Sequence, residues 1–421
     1  MIQAALWDRN IKQYRKGGVH AVLRRILFWF LICLIVAIIL TVSLADTVGE
    51  SSLAEEAQQE LEDKIEQNLD DLDLSQLDEW LAQTYGQSGT WISQGFRKAI
   101  EDVIAGKFEG GVSSFASLLL QDIGGGLRGA IPTFISMIAI AILYGLLQGM
   151  TSGFLSQQTK EMVYFACYAA VLVLLFSHVA RFVTMTVRTV QSMQKLMEIS
   201  FPVLVTAITV LGGVQTGAVF QPMMSVLSTS ISALVVKLIL PMFVAMLIFC
   251  VVSNLTSHVK LDRLTRFFHS AAKTILGGVF GVFVTFLTLQ GLTGNIADSI
   301  SVKTAKFALQ SYIPILGGYL SEGFDLVMAS VVLIKNAFGL IVVFALLGTI
   351  LLPIVQIVIF SLGLKFVSGI VEPIADTRMS KILFDTGKNL NLLAAAIAAV
   401  GFLFLITVML VIAACNFGMG V

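Results

Sequence analysis

From Ala130 to its carboxyl end the chain is assembled from apolar segments of about twenty residues, the length an α-helix needs to cross a roughly 30 Å hydrocarbon layer. No other feature constrains the fold as strongly. Within that layer each backbone N–H and C=O must find its partner inside the segment, which here selects helices. The segments run from Ile131 to Gly149, Met162 to Ala180, Pro202 to Phe220, Ile231 to Ser253, Thr274 to Leu292, Ile313 to Ile334, Ala337 to Leu362 and Leu392 to Ala414. Of the 421 residues 57% are hydrophobic and 13% charged, too few polar groups to cover a soluble core of this size. The expected fold is an all-α, polytopic helical membrane protein.

Before Ala130 the pattern differs. Lys12, Arg15, Lys16, Arg24 and Arg25 precede an apolar run from Ile26 to Leu40, and Ser43-Leu44-Ala45 puts small residues where a signal peptidase reads. Residues 1–45 read as a signal peptide or an uncleaved N-terminal anchor, and residue 46 onward then emerges outside. In residues 46–128 acidic residues outnumber basic ones, and Leu53, Ala57, Leu61, Ile65, Leu69 and Leu72 recur every three to four positions. A second amphipathic stretch runs from Trp91 to Ile104. The expectation is a small extracytoplasmic helical domain whose acidic face is either solvated or a docking surface for a basic partner. Gly110-Gly111 and Gly124-Gly125-Gly126 predict hinges before a membrane hairpin over residues 129–198.

The later half repeats itself. Arg263-Leu-Thr-Arg-Phe-Phe-His-Ser-Ala-Ala-Lys273 is echoed by Arg378-Met-Ser-Lys-Ile-Leu-Phe-Asp-Thr-Gly-Lys388, pairing Arg263 with Arg378, Arg266 with Lys381 and Lys273 with Lys388. Pro202 and Pro314, and Pro241 and Pro353, share an offset of 112 residues. These correspondences predict an internal duplication of units of about 100 residues, over residues 199–295 and 311–415.

The first segment of each unit is broken by glycine, at Gly212-Gly213 in one and at Gly317-Gly318 in the other, where Glu322 and Asp325 follow. Such segments suit backbone that lines a cavity or re-enters the membrane. If both re-enter, the two basic segments fall on the cytoplasmic side; Arg181, Arg188 and Lys195 then lie outside, against the usual bias. Lys237, four residues before Pro241, is either part of a polar pathway with Glu322 and Asp325 or a snorkelling structural lysine. The basic segments either lie on the inner leaflet or form a platform for a partner such as an ATPase.

Catalytic signatures are absent: no HExxH, P-loop, GxSxG or dinucleotide fingerprint occurs, and Cys33, Cys167, Cys250 and Cys415 lie singly in apolar runs. Neither an enzyme, a cofactor, a metal site nor a nucleic-acid partner is expected.

The order of parts, with Trp91-Ile-Ser-Gln-Gly-Phe96, Ser200-Phe-Pro202-Val-Leu, Gly212-Gly213 and Leu261-Asp-Arg-Leu264, resembles the stage III sporulation protein AE family of endospore-forming Firmicutes. The resemblance implies a subunit, and a candidate gate, of a secretion-like channel between mother cell and forespore. It implies a place in the mother-cell-derived outer forespore membrane, with the acidic domain in the intermembrane space. The implied partners are the other stage III A-operon proteins, including an ATPase and ring-forming subunits, and stage II sporulation protein Q; copies of this chain could also assemble together. An autonomous secondary transporter of broken-helix units and a membrane scaffold without a pore are the alternatives.

Overall fold

In this computed structural model the described residues are 64–69, 72–85, 95–106, 112–150, 157–211, 213–255, 261–286 and 317–413. All lie in the compact unit Gln59–Val421. The expected signal or anchor, and Pro314, lie outside them. After a helical stretch at 64–69 come two short helices, α1 (Ser75–Tyr85) and α2 (Gly95–Ile104). The long ones follow: α3 (Val112–Met150), α4 (Gln157–Val210), α5 (Val214–Leu234), a π turn (Val235–Ile239) leading into α6 (Leu240–Leu255), α7 (Asp262–Phe286), α8 (Gly317–Val371) and α9 (Thr377–Ala413). Among the described residues six helical stretches are long and apolar enough to cross a membrane, with α5, the π turn and α6 forming one of them.

The eight apolar segments fall on six such stretches, because neighbouring segments share long helices. α8 runs unbroken from Gly317 to Val371, joining the segments expected at Ile313 to Ile334 and Ala337 to Leu362. Pro202 lies inside α4, and the expected break at Gly212-Gly213 is where α4 gives way to α5. The expected hinge at Gly124-Gly125-Gly126 is likewise helical, within α3. A glycine costs a helix about 1 kcal/mol, which flanking turns and packing readily override. Prolines at equivalent places also behave differently. Pro241 cannot donate to the Lys237 carbonyl, and the helix widens there into a π turn closed by Leu240 N–H on Val235 O. Pro353 sits inside the continuous α8.

The core is the antiparallel hairpin of α8 and α9, which packs backbone against backbone through small residues. Ser361 donates to the Gly387 carbonyl at 2.6 Å and Ser368 to Ser380 O at 2.9 Å. A Cβ added at Gly387 would lie 2.8 Å from Ser361 O, and side chains at Gly401 and Gly339 would run into Ile350 and Ile412. In a membrane, helix association depends on such close packing, because lipid tails are as apolar as leucine.

α4 and α8 have 54 and 55 residues, roughly 80 Å each at 1.5 Å per residue, far longer than a hydrocarbon layer is thick. The excess carries the small helical domain. Trp80 Nε1 donates to Ser192 O on α4 at 3.0 Å, Tyr85 OH to Ala345 O on α8 at 2.7 Å, and Phe96 packs on Phe338 with ring centroids 6.1 Å apart. Burial pushes the Tyr85 hydroxyl up, keeping it a neutral donor. Gly95, at φ +85°, turns the chain into α2, where Asp78 Oδ1 accepts from Phe96 N–H at 2.7 Å.

Two outcomes follow from this packing. Gly387→Ala should lower stability in detergent by about 1–3 kcal/mol, because backbone must move to admit the methyl group; thermal unfolding would measure it, and an unchanged midpoint would contradict the close approach. Gly348→Leu should displace the Tyr85 ring whose hydroxyl abuts that glycine. Hydrogen exchange of α1 should then accelerate while that of α9 stays as before.

Candidate functional site

Gly125, Gly126 and Gly129 of α3 leave α4 and α8 unfilled space, a cavity of about 250 Å³. His178 and Arg181 of α4 and Gln356 of α8 bring polar groups to it, over a wall formed by Phe360 and Phe182. Thr133 and His178 Nε2 share a hydrogen bond of 2.7 Å. The His178 ring stacks on Phe360 at 4.9 Å, and Phe134 and Phe182 flank that same ring at 5.1 and 5.0 Å. Three aromatic contacts thus hold one side of the cleft rigid while the glycine side stays open.

Depth makes this cleft unusual. α8 carries no ionisable residue between Lys335 and Lys365, the stretch of this helix suited to a hydrocarbon layer, and Gln356 and Phe360 belong to it. Arg181 meets α8 at that level and is exposed on the surface of this chain. A guanidinium at the membrane centre costs about 3 kcal/mol or more unless it faces protein or water. Chemically the cleft offers a cation, a hydroxyl–imidazole pair and an amide, a set suited to holding or passing polar groups.

Other expected positions fall elsewhere. Lys237 is exposed on the π turn, and Pro241 follows in α6. Gly317, Gly318, Glu322 and Asp325 belong to the first turns of α8, where the side chains are outside the described set, so the proposed pathway through Lys237 and the two carboxylates lies there too. Among the described residues the buried lysine is Lys335, at 1% exposure. Arg181 drew notice in the sequence only as a misplaced charge; the usable signal was His178 and Arg181 one turn apart within an otherwise apolar run.

The two basic elbows meet. Lys381 Nζ lies 2.8 Å from Asp262 Oδ2, and Ser253 Oγ donates to the other Asp262 oxygen at 3.1 Å. Phe280 packs on Phe402 at 5.5 Å, so α7 and α9 run parallel with Arg263 and Arg266 beside Arg378 and Lys381 at one end, and Lys273 and Lys388 farther along. The echoed stretches are therefore neighbours at a single end of the bundle.

Arg378 grips that end. It donates to Asp376 Oδ2 at 3.0 Å, and its guanidinium lies 4.1 Å from the Tyr164 ring centroid. Tyr164 stacks on Tyr168, and their hydroxyls donate to Asn254 O at 3.0 Å and Val251 O at 3.1 Å on α6. Burial alone would raise the Asp376 carboxyl, but hydrogen bonds from Arg378 and Thr377 and the guanidinium charge outweigh it and hold the group below its usual value. Its contribution to stability is therefore complete above the unfolded value near pH 4 and is lost as pH falls through the lower folded value. Asp376→Asn should cost about 1 kcal/mol near neutrality and abolish that acid-dependent loss; melting curves between pH 6 and about pH 2.5 would read both.

The family model described as stage III sporulation protein AE matches residues 95–415. The stage III sporulation protein AE of Bacillus subtilis (strain 168) is 23% identical over 286 residues, covering 68% of this chain and 71% of that protein. No solved structure matches.

Proposed function

Because the chain belongs to the stage III sporulation protein AE family, matched over residues 95–415, we propose that it is a non-enzymatic membrane subunit of a secretion-like channel between mother cell and forespore. The observation that carries this reading is Arg181. An exposed guanidinium on a candidate membrane span, beside an open polar cleft, is tolerable when that face meets another subunit or a water-filled path. A self-sufficient bundle would turn the same residue inward. The cleft is thus the part of the chain that would gate or line a passage shared with other subunits.

Sidedness follows from spacing and charge. Roughly 40 Å of α4 separates Tyr164, at the elbow end, from Ser192, where Trp80 docks, and that length matches a bilayer with its headgroups. With the basic elbows in the mother-cell cytoplasm, the small domain sits in the intermembrane space of the outer forespore membrane. There it is placed to meet ring-forming stage III A-operon proteins and stage II sporulation protein Q, while the elbows face an ATPase.

Arg181→Leu, at equal membrane abundance, should reduce heat-resistant spores at least tenfold, and Arg181→Lys should keep most of them. Normal sporulation with the leucine variant would sink the role given to the cleft.

A further inference from the structure

Three lysines end the uncharged stretches of three neighbouring helices at one level. α8 has no ionisable residue between Lys335 and Lys365, α9 none from Asn389 to Ala413, and α7 none from Thr274 to Phe286. Lys365, Lys388 and Lys273 therefore mark the same edge of the hydrocarbon layer, on the elbow side.

The three converge. α9 comes so near to α8 at Gly387 that a Cβ there would lie 3.4 Å from Lys365 Cγ, so the Lys365 stem crosses the residue before Lys388. His269 and Lys273 share a face of α7, four residues apart, and both are within electrostatic reach of Lys388, as Lys365 is. The nearby carboxylate is Asp385, one turn before Lys388; Asp262 is already engaged by Lys381. Among the described residues none of the three lysines makes an ion pair. Three ammonium groups against one carboxylate leave surplus positive charge at this seam, where Lys273 and Lys365 are half-buried and less screened by water than the exposed Lys388.

An anion at this seam would relieve the repulsion, and its depth says which kind. The surrounding surface is apolar and outward-facing: Phe366 is 71% exposed, Phe267 63% and Phe384 48%. Little of α7 is covered by the rest of the chain. We propose that Lys273, Lys365 and Lys388 form a binding site for the phosphodiester headgroup of an anionic phospholipid, whose acyl chains lie along the uncovered side of α7. Ammonium groups bind phosphate oxygens as point charges, and basic seams between helices on the cytoplasmic side suit such headgroups. The site fixes α7, otherwise thinly packed, against the α8–α9 hairpin, and it does not depend on the channel reading.

The test uses the full chain purified in detergent, titrated with phosphatidylglycerol, phosphatidylcholine or inorganic phosphate and followed by thermal unfolding. Phosphatidylglycerol should raise the midpoint by several degrees, and the other two should not. Replacing all three lysines by glutamine should weaken the phosphatidylglycerol titration on the order of a hundredfold, about fivefold per cation, whereas three arginines should preserve it. An equal shift with phosphatidylcholine overturns the site, and an equal shift with inorganic phosphate overturns the lipid as its occupant. A triple glutamine variant that binds phosphatidylglycerol like wild type also overturns the proposal. Should the triple variant not fold, Lys388→Gln alone, at an exposed position, carries the test: a roughly fivefold weaker titration supports the site and an unchanged one refutes it.

Discussion

The close approach of α8 and α9 is the constraint on which the remaining structure depends. At Gly387 the two backbones are near enough for Ser361 to reach a carbonyl of the opposite helix at 2.6 Å, and Gly401 and Gly339 continue the contact for the length of the hairpin. Lipid gives no hydrophobic reward for helix pairing, so dispersion at this seam and the Ser361 and Ser368 hydrogen bonds must hold it. Every other long helix is placed relative to this pair. α3 fits against α8 where Gly363 admits Phe134, α4 reaches it through Phe182 and His178 on Phe360, and α7 lies along α9 through Phe280 and Phe402.

From that hairpin the chain extends in two directions. At one end Arg378, Asp376 and Tyr164 tie α9 to α4, and Tyr164 and Tyr168 tie α4 to α6. At the other, Trp80 and Tyr85 tie the small domain to α4 and α8. The exposed pair of Lys381 and Asp262 adds little energy, since surface pairs are worth about 0–1 kcal/mol, but it sets which ends of α7 and α9 lie together.

The crossings were legible because hydropathy is local: a run such as Met162 to Ala180 needs no knowledge of its neighbours to be read as a span. The echo of Arg263–Lys273 in Arg378–Lys388 was equally informative, for its two copies lie side by side on parallel helices. Continuity was harder. Gly124-Gly125-Gly126 looks like a break because glycine weakens a helix, yet in α3 the glycines open the cleft beside Gln356 without breaking the helix. Lys237 and Arg181 show the remaining gap. Both are cations in apolar runs, and only the rotation of each helix, set by contacts distant in sequence, puts Arg181 at the cleft and Lys237 on an exposed π turn.

Unbroken helices also determine how the ends of the molecule can communicate. α4 and α8 each run roughly 80 Å as continuous helix, Pro202 and Pro353 included, whereas the α5–α6 rod contains a π turn at Val235–Ile239. Trp80 and Tyr85 hold backbone carbonyls of both, so the small domain is tied to the two long helices together. The cleft lies between those two rods and α3, whose Gly125, Gly126 and Gly129 present no side chain to resist a shift. The α8–α9 seam, by contrast, is interlocked at Gly387, Gly401 and Gly339 and leaves no such space.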